Sequence, residues 1–535
     1  MAAPPMPEGS VLPLVRELTG TPDPLALYAA LSDGGRRPGT FLLESADIGA
    51  GAGERSLLGI SPALRITCVG RTAVITGLSA NGRSLLPWTA KRLSPLARVT
   101  LEGDTIRAVF PEPPDGPQDE ASRGSLPSPL DALRAVVMGP ALLAKPIDAC
   151  HLAGGVFSYD LVELFERLPA GGAEAAVTPH FEFVIPDRLI IVDHLRHRTL
   201  LVATAMGGPG GEANYHDAVT ALGALLSAAE EATSARRSSP GTWSAPPGSP
   251  PAPTVDLSDQ EFADLVVHLK QHIVLGDVFQ IVASRTFTMP CPDPLSAYAR
   301  LRAENPSPYL FYIAGHDTIV FGASPETAVK VIGIPRRVTI RPIAGTAARG
   351  RSDSGAIDPD LDTRREAALR LDEKETAEHM MLVDLARNDV ARVSRPGTRQ
   401  VTRLLTVDRY AHVMHLVSEV QGELAQGLDA LHAYAAAMNM GTLVGAPKIR
   451  AAAILREVEP SRRGAYGGAV GYLTQGGEMD TAIVIRAAVV RDGIARVRAG
   501  AGIVFDSDPA SEARETRRKA AAVLQAIAGT GVTDG

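Results

Sequence analysis

The chain of 535 residues carries a formal net charge of −7, with 45% hydrophobic and 21% charged residues. It is too long for one ordinary core, so we expect two large units or one intertwined pair. The negative charge and the scattered arginines argue against a nucleic-acid partner. No uncharged apolar run approaches the roughly 18 residues of a membrane helix, and the first residues lack a secretory pattern, so we expect no membrane partner and a cytoplasmic location.

The first part of the chain predicts a mixed unit of helices and strands. Its β-branched and aromatic residues indicate a hairpin over 63–77 and an extended segment over 181–194. Apolar residues at helical spacing indicate helices over 128–139 and 215–232. An acidic, proline-rich stretch over 111–129 predicts a long surface loop.

The clearest break is a Pro-, Ser- and Gly-rich stretch at 234–256, which lacks any periodic apolar pattern and is predicted to be a linker. It divides the chain into a first unit, 1–233, and a second unit, 257–527. Ser258 and Glu261 have the spacing of a capping box and predict a helix that opens the second unit. Further strands and helices are expected, in turn, over 278–289, 317–324, 336–346, 465–474, 481–493 and 494–505, and over 364–388, 429–440 and 512–527.

Two helical segments of the second unit each carry two glutamates three residues apart. They are Glu375 and Glu378 in "ETAEHMMLVDLARND", and Glu512 and Glu515 after the Gly-rich run 499–502. Carboxylates converging from two helices, with room for water and a substrate anion, suit Mg²⁺, which prefers oxygen ligands and rarely takes a complete protein cage. Taken alone, each pair is more often a solvent-exposed helix face.

The first of these motifs, followed far downstream by "GAGIVFDSDPASEARET" and a lysine, resembles the chorismate-utilising enzymes, and among them the component I subunits of anthranilate synthase. The resemblance runs through almost all of 257–527 and includes "GGVFSYDLVELFERLP" at 154–169. It implies an α+β fold of the intertwined, two-sheet chorismate-binding type with helices outside. It also implies an activity in tryptophan biosynthesis, in which chorismate and ammonia give anthranilate and pyruvate.

The resemblance assigns the two carboxylate pairs to a metal site. Glu378 and Glu515 would be the ligands of Mg²⁺, and Glu375 and Glu512 would lie beside them, Glu375 also counting among the catalytic residues. Lys519, one turn beyond Glu515, would neutralise charge near the metal.

Three more residues receive catalytic assignments from the resemblance. Glu326 in "FGASPET" stands at the position of the general acid that helps to expel the 4-hydroxyl group, which requires burial to raise its pKa. His415 in "YAHVMHLVS" matches a histidine near the substrate ring that is linked to the elimination step. Gln280 in "GDVFQIVASR" stands where relatives that add water carry a lysine base. Which group removes the C2 proton stays open.

Chorismate is a dianion, so its site needs donors directed at two carboxylates. By the resemblance, Arg486 and Tyr466 would hold the enolpyruvyl carboxylate, and a guanidinium suits a two-point contact with it. Lys448 in "GTLVGAPK" is more readily explained as structural. The full set of expected substrate-binding residues is Gly345, Thr346, Thr442, Tyr466, Arg486, Gly500, Ala501, Gly502 and Lys519.

Single positions distinguish this chain from relatives with other products. Gln280 cannot deprotonate water, which disfavours isochorismate and salicylate chemistry. Ala344 in "PIAGT" replaces the covalent lysine typical of enzymes that make aminodeoxychorismate. Aminodeoxychorismate synthase component I stays the enzymatic alternative. A non-catalytic tryptophan-binding regulator is the other, although it would be expected to have lost the acid and metal residues.

Two short segments resemble the halves of a tryptophan feedback pocket. "LLES" at 42–45 would supply polar contacts, and "NPSPYLFY" at 305–312 would close the indole side. Each alone is an ordinary strand end or turn. Leu310 replaces a methionine common in the family, which keeps the pocket apolar. The expected inhibitor-binding residues are Glu44, Ser45, Asn305, Pro308, Tyr309, Leu310 and Phe311.

The ammonia for such a reaction needs a source outside this chain. The cysteines Cys68, Cys150 and Cys291 are far apart, which fits neither a disulfide framework nor a zinc site. None lies in the glycine-rich turn that a glutaminase nucleophile requires. We therefore expect a separate glutaminase subunit, docked mainly on the first unit, in a hetero-oligomer.

Overall fold

The computed structural model describes residues 3–45, 55–114, 116, 124, 126–144, 147, 149–169, 179–238, 251–352, 355–410 and 413–529. Long antiparallel strands dominate the first part, as its β-branched residues favour. In chain order they are β1 (Ser10–Thr19), β2 (Thr40–Glu44), β3 (Arg55–Val69), β4 (Thr72–Gly77), β5 (Arg98–Glu102), β6 (Thr105–Val109), β7 (Ala141–Leu142), β8 (Leu152–Phe157), β9 (Phe181–Asp193) and β10 (Arg198–Met206).

The second part continues the same antiparallel architecture after a short edge strand. Its strands are β11 (Thr254–Val255), β12 (Gln280–Pro290), β13 (Tyr309–Ala314), β14 (Ile319–Ser324), β15 (Thr327–Ile332), β16 (Arg337–Ile340), β17 (Ile343–Ala348), β18 (Gln400–Arg409), β19 (Val413–Glu423), β20 (Gly445–Ala446), β21 (Ala469–Thr474), β22 (Met479–Ile483), β23 (Ala487–Arg491) and β24 (Ile494–Ile503).

The helices lie between these strands and cover the sheet. They are α1 (Pro24–Leu31), α2 (Ala80–Arg83), α3 (Leu86–Leu93), α4 (Leu130–Leu133), α5 (Gly211–Ser238), α6 (Asp259–Val274), α7 (Pro294–Glu304), α8 (Pro359–Leu371), α9 (Glu373–Val393), α10 (Ala430–Ala437), α11 (Gly441–Val444), α12 (Lys448–Val458) and α13 (Pro509–Ala528). A π turn at Arg134–Met138 follows α4, and a 3₁₀ turn spans Tyr159–Leu164. None of the described helices combines the length and apolar character needed to cross a membrane.

Strands from the two parts of the chain pair with each other. β2 runs antiparallel to β13, with Leu43 opposite Phe311, and β8 runs antiparallel to β21, with Gly155 opposite Gly471. The described strands thereby form one continuous hydrogen-bonded network of 24 strands. The predicted intertwined α+β fold is confirmed, and the chain division at 234–256 does not separate two independent sheets.

Two predicted boundaries need correction. The linker predicted at 234–256 is shorter at both ends, because α5 continues to Ser238 and β11 already pairs with β12, while residues 239–250 lie outside the described part. The single helix predicted over 364–388 is two helices. Asp372 separates them with an extended backbone, and its carboxylate caps α9 by accepting from the Glu375 N–H at 3.0 Å.

A third correction concerns the strand predicted over 481–493. It is interrupted between β22 and β23, where Arg486 has a φ of 50°, in the left-handed region that non-glycine residues rarely adopt. The capping box of Ser258 and Glu261 is confirmed, with both reciprocal bonds present at the start of α6. The predicted hairpin is also confirmed, as β3 paired with β4.

The pairing of β12 with β24 explains how the core and the site share one sheet. Side chains alternate between the two faces of a strand. Ile281 and Ala283 lie in a buried apolar cluster with residues of α6 and α12, together with Ala501 from β24. Gln280 and Ser284 alternate with them and point to the opposite face, where the glycines of β24 lie opposite β12. The helices therefore cover one face of this strand pair, and Gln280 and Ser284 lie on the other face.

Candidate active site

Glu326 lies in the turn between β14 and β15 and is only 7% exposed. Its Oε1 accepts a hydrogen bond from Thr442 Oγ1 of α11 at 3.0 Å. Burial raises the pKa of Glu326 to about 8, against smaller opposing effects of Thr442 and Lys519. Burial therefore favours the protonated form of this carboxyl group, which is the form that a general acid requires.

His415 and Thr346 face each other across the β17–β19 ladder, with Nδ1 2.8 Å from the threonine hydroxyl. Burial lowers the pKa of His415 to about 4, and the positive charge of Arg486 lowers it further. The imidazole is consequently neutral at physiological pH. A Cβ at Gly345 would stand 3.3 Å from Glu375 Oε2, so this strand also faces the carboxylates of α9.

The two glutamate pairs face a common space. Burial raises the pKa of Glu378, and the negative charges of Glu375, Glu512 and Glu515 raise it further, opposed by Lys374. Burial likewise raises the pKa of Glu375, with Glu515 contributing, and that of Glu512, again with Glu515 contributing. Carboxylates separated by more than a hundred residues thus repel one another across one volume. Among the described residues, no three acidic, histidine or cysteine side chains are close enough to enclose a cation by themselves.

Lys519 connects Glu515 of α13 to Gly500 of β24. Its Nζ lies 2.6 Å from Glu515 Oε1 and donates to the carbonyl oxygen of Gly500 at 3.0 Å. Arg486 Nη1 donates to the backbone oxygen of Lys519 at 3.4 Å. Two cations therefore adjoin the acidic pair of α13, an arrangement that can balance a bound anion as well as the glutamates.

Gly500 and Gly502 leave space for two polar side chains. A Cβ at Gly500 would stand 2.9 Å from the hydroxyl oxygen of Tyr466, and one at Gly502 would stand 3.0 Å from Nε2 of Gln280. Oε1 of Gln280 is buried and lacks a hydrogen-bond partner. An orphaned amide oxygen at this position is free to accept from a small N–H donor.

The structure also places the Gly-rich run and Lys448. Residues 499–502 lie in the strand predicted over 494–505, in the last part of β24, and are paired residue by residue with β12. Ala501 is fully buried in the apolar cluster behind the strand, so only its backbone faces the site. Lys448 donates to Asp389 Oδ2 at 2.6 Å and to a helix carbonyl, which confirms its structural role.

Seven of the predicted site residues form a closed ring of neighbours. Each member interacts with the next through a hydrogen bond, an ion pair, electrostatics or direct approach, in the order Lys519, Glu515, Glu378, Glu375, Gly345, His415 and Arg486, with Arg486 returning to Lys519. Glu326 adjoins this ring through its electrostatic interaction with Lys519.

Comparison with known proteins places this constellation in a family. The family model of the chorismate binding enzymes matches residues 118–525. The chain belongs to that family. The resemblance inferred from the motifs is thereby confirmed, and the match includes β8, which the first part of the chain contributes to the ladder of β21.

Curated relatives align over nearly the whole chain. A pyocyanine-specific anthranilate synthase component 1 from Pseudomonas aeruginosa is 50% identical, covering 91% of this chain and 90% of its own. The anthranilate synthase component 1 proteins of Vibrio cholerae and Escherichia coli are 49% and 46% identical, with coverage of 95% or more of each chain.

Solved structures agree with the fold. Anthranilate synthase component I from Streptococcus pneumoniae superposes with a TM-score of 0.65 at 28% identity, covering 89% of this chain and 92% of that one. The menaquinone-specific isochorismate synthase of Escherichia coli gives a TM-score of 0.63 at 15% identity over 98% and 96% of the two chains, a likeness of fold alone.

A buried charge cluster beside Leu443 and Tyr466 was missed from the sequence. Glu459 accepts from Ser284, from Arg463 and from Arg498, with distances between 2.7 and 2.9 Å. Arg463 also donates to the carbonyl oxygen of Leu443, next to Thr442, and its guanidinium lies 5.9 Å from the ring centroid of Tyr466. Charged residues usually indicate surface, so only the position of Glu459 and Arg463 shortly before Tyr466 could have signalled this role, and no such signal marks Arg498.

The two segments of the expected inhibitor pocket are adjacent strands. Glu44 of β2 stands opposite Leu310 of β13, and Leu310 and Phe311 point into different buried clusters. Pro308 is buried just before β13. Ser45 Oγ and Asn305 Nδ2 are both buried without a hydrogen-bond partner.

Other members of these segments already have partners within the chain. Glu44 accepts from Tyr298 at 2.6 Å and from Arg302 at 2.9 Å. The Tyr309 hydroxyl lies 3.0 Å from Thr327 Oγ1 and donates to Asp480 at 2.9 Å. Glu44 and Tyr309 are therefore held in place by other residues of the chain, whereas Ser45 Oγ and Asn305 Nδ2 are not.

Proposed function

We propose that the protein is the chorismate-aminating component of an anthranilate synthase, converting chorismate and ammonia to anthranilate and pyruvate in tryptophan biosynthesis in the cytoplasm. The curated relatives that share 46–50% of its residues over most of the chain bear that component's name. The observation that carries the proposal is the buried Glu326, whose pKa is raised to about 8 and which adjoins, through Lys519, the ring of neighbours that holds His415, Arg486 and the carboxylates.

Glu326 supplies the proton that the reaction needs. Ammonia forms a bond to C2 of chorismate while the bond to the 4-hydroxyl breaks, and the leaving oxygen takes the proton of Glu326, because hydroxide is a poor leaving group. Thr442 fixes the orientation of this carboxyl through Oε1. The amination step then leaves Glu326 ionised, with Lys519 nearby to balance the charge.

Elimination of pyruvate follows in the proposed sequence. The C2 proton is removed and the bond from the ring to the enolpyruvyl oxygen breaks, which forms the aromatic ring and releases the enolate of pyruvate. The enolate takes up a proton to become pyruvate. His415 is neutral and is positioned by hydrogen bonds to Thr346 and to the backbone of Gly345, and a neutral imidazole is the form that can take up a proton in this step. The positively charged Arg486 beside it suits the enolpyruvyl carboxylate.

Magnesium fits the donor set that α9 and α13 present. Glu378 and Glu515 would hold the ion, and Glu375 and Glu512 would adjoin it. The mutual repulsion of these half-buried carboxylates is what a divalent cation relieves. An open arrangement of carboxylates suits Mg²⁺, which keeps water and substrate oxygens in its shell. When bound, the cation supplies positive charge for a substrate carboxylate.

The side chains at positions 280 and 344 are consistent with ammonia as the nucleophile. Gln280 is an amide with an unpaired oxygen, which can orient an N–H but cannot activate water. Ala344 offers no nucleophilic side chain, and its carbonyl oxygen is engaged by His379 at 3.0 Å. These two positions support amination without a covalent enzyme intermediate.

A separate glutaminase subunit is the proposed source of ammonia. All three cysteines of the chain are buried, and burial raises the pKa of the Cys68 and Cys291 thiols to about 12. Such thiols are poor nucleophiles. The component 1 names of the relatives also support a second component, and we propose a hetero-oligomer.

Feedback inhibition by tryptophan is proposed for the adjacent segments of β2 and β13. The unpaired hydroxyl of Ser45 and amide of Asn305 would meet the polar groups of the amino acid, while Pro308, Leu310 and Phe311 supply apolar surface. A tryptophan titration of ammonia-dependent turnover, repeated with Asn305→Ala, tests this: the variant should need more tryptophan for the same inhibition.

The central experiment uses the purified chain with chorismate, ammonium and Mg²⁺, in the absence of any glutaminase. We expect fluorescent anthranilate, loss of activity with EDTA and recovery with added Mg²⁺. Glutamine in place of ammonium should give no product, because the chain lacks a glutaminase nucleophile. Accumulation of aminodeoxychorismate, or no turnover in any condition, would overturn the proposal.

A further inference from the structure

Arg285 is a fully buried arginine that faces away from the site. It lies on β12 between Ser284 and Thr286, with 0% of its surface exposed. Its guanidinium carbon lies 5.1 Å from the ring centroid of Phe262 and 5.3 Å from that of Phe287. A buried charge is costly unless its donors are satisfied, so its hydrogen bonds indicate what it holds together.

The donors of Arg285 converge on the first turns of α13. Nε donates to Thr516 Oγ1 at 2.8 Å and Nη2 to the backbone oxygen of Ala513 at 2.8 Å. Thr516 Oγ1 in turn donates to the same Ala513 oxygen at 2.8 Å. Ala513 and Thr516 directly follow Glu512 and Glu515 in the chain. We call the contacts of Arg285 with Ala513 and Thr516 the clamp, and it binds the helical turn that carries both carboxylates.

The other side of the guanidinium is anchored to the start of α6. Nη1 donates to the carbonyl oxygen of Leu257 at 2.9 Å, and Nη2 lies 2.7 Å from Asp259 Oδ1. Asp259 also accepts from Arg517 of α13 at 2.8 Å. One planar group therefore ties α13 to β12 and to α6, which fixes the rotation of α13 about its own axis.

That rotation decides where the carboxylates point. Glu512 and Glu515 lie one residue before the clamped positions on the helix, so a turn of α13 about its axis would move both carboxylates relative to Glu378. Lysine cannot replace the clamp, because a single ammonium lacks the fork that reaches Ala513 and Thr516 in fixed geometry.

We propose that Arg285 is a positioning residue for Glu512 and Glu515, and that it thereby sets the divalent-cation affinity of the site from the opposite face of the sheet. The inference rests on the proposed magnesium site. Arg285 would thus act on the site although it lies on the face of β12 opposite Gln280.

The test is direct cation binding without turnover. Mn²⁺ serves as the probe, measured as loss of the free-ion EPR signal in ammonia-free buffer with chorismate present, and Mg²⁺ binding is measured by calorimetry. Arg285→Lys should weaken binding about tenfold, the usual effect of losing a residue that supports metal ligands. Saturating Mg²⁺ should restore most of kcat.

The matched control is Arg498→Lys. Arg498 is another buried arginine, on the neighbouring strand β24, but its partners are Ser284, Glu459 and the segment 461–462 rather than α13. Both variants are expected to lower the melting temperature, and only Arg285→Lys to weaken cation binding. Equal cation affinity of wild type and Arg285→Lys, or equal weakening in both variants, would overturn the positioning role.

A second pair of variants decides the matter if Arg285→Lys does not fold. Thr516→Val removes the oxygen that Arg285 Nε contacts and should weaken cation binding, whereas Thr516→Ser keeps the hydroxyl and should retain it. Equal cation affinities of Thr516→Val and Thr516→Ser would refute the positioning role of Arg285 but not the magnesium site. Absence of any Mg²⁺ or Mn²⁺ binding by the wild-type chain would instead refute the magnesium site and, with it, the inference.

Discussion

Two buried glutamates, Glu326 at the site and Glu44 on β2, show how environment decides what a carboxyl group does. They are 7% and 6% exposed, and burial raises the pKa of both. Glu44 has Arg302 and Tyr298 on its two oxygens, so its charge has an immediate partner. Glu326 has one neutral donor, Thr442. Burial therefore acts on both carboxyl groups alike, and the difference between them is the cation that directly opposes it at Glu44.

The largest expected effect is that of Glu326→Gln on turnover. The amide keeps the shape and the bond from Thr442 but has no proton to give, so kcat should fall by about 10²- to 10⁴-fold. Anthranilate fluorescence measures the rate, and thermal unfolding should show an intact fold. A rate within a few-fold of wild type would contradict the assignment of Glu326 as the acid.

Glu44→Gln should have the opposite profile. Losing the carboxylate leaves Arg302 with a weaker partner, and we expect a loss of about 2 kcal/mol in unfolding free energy, below the range for a fully buried pair because Arg302 is 29% exposed. Urea denaturation measures the loss, and ammonia-dependent kcat should be unchanged. A Glu44→Gln variant that is as stable as the wild type but has no turnover would contradict the purely structural role of Glu44.

The pH dependence of stability sharpens the contrast at Glu326. Its pKa rises from 4.5 in the unfolded chain to about 8 in the fold, so folding favours the protonated form. That contribution is fully present below pH 4.5 and is lost as pH rises through 8. Wild-type stability, measured by urea denaturation, should therefore fall relative to Glu326→Gln between pH 5 and 8. Parallel curves for the two proteins would count against a raised pKa.

The smallest expected effect belongs to Thr442→Val. Thr442 donates to Glu326 Oε1 and so favours the ionised form. Loss of this hydrogen bond should raise the pKa of Glu326 and shift the alkaline limb of the kcat–pH profile to higher pH by roughly half a pH unit to one pH unit. The Thr442→Ser variant, which keeps the hydroxyl, is the control and should titrate like the wild type. A downward shift would mean that Thr442 is not the donor.

Much of the site was predictable because its residues stand in local motifs. The two glutamate pairs, Lys519 and the glycines of β24 are readable from spacing and from the resemblance, and the structure brings them to one volume. Elements were also well predicted where one periodic pattern filled them, as in α6 with its capping box.

The misjudged boundaries all sit where local backbone chemistry interrupts a continuous pattern. Asp372 caps a new helix inside an apolar stripe that reads as one helix. Arg486 breaks a strand through a left-handed backbone that no propensity indicates. The last turns of α5 contain serine and arginine in a stretch whose composition resembles a linker.

The sequence by itself determined the family, the chemistry of the site residues and the alternation that puts Gln280 and Arg285 on opposite faces of β12, because these depend on residue type and on local periodicity. Only the tertiary structure decided which charges meet. The partners of Glu459 and Arg285 lie on strands and helices that are distant in the chain. Burial, which the linear pattern of charged residues does not encode, raises the pKa of Glu326, and the fold brings Arg302 to Glu44.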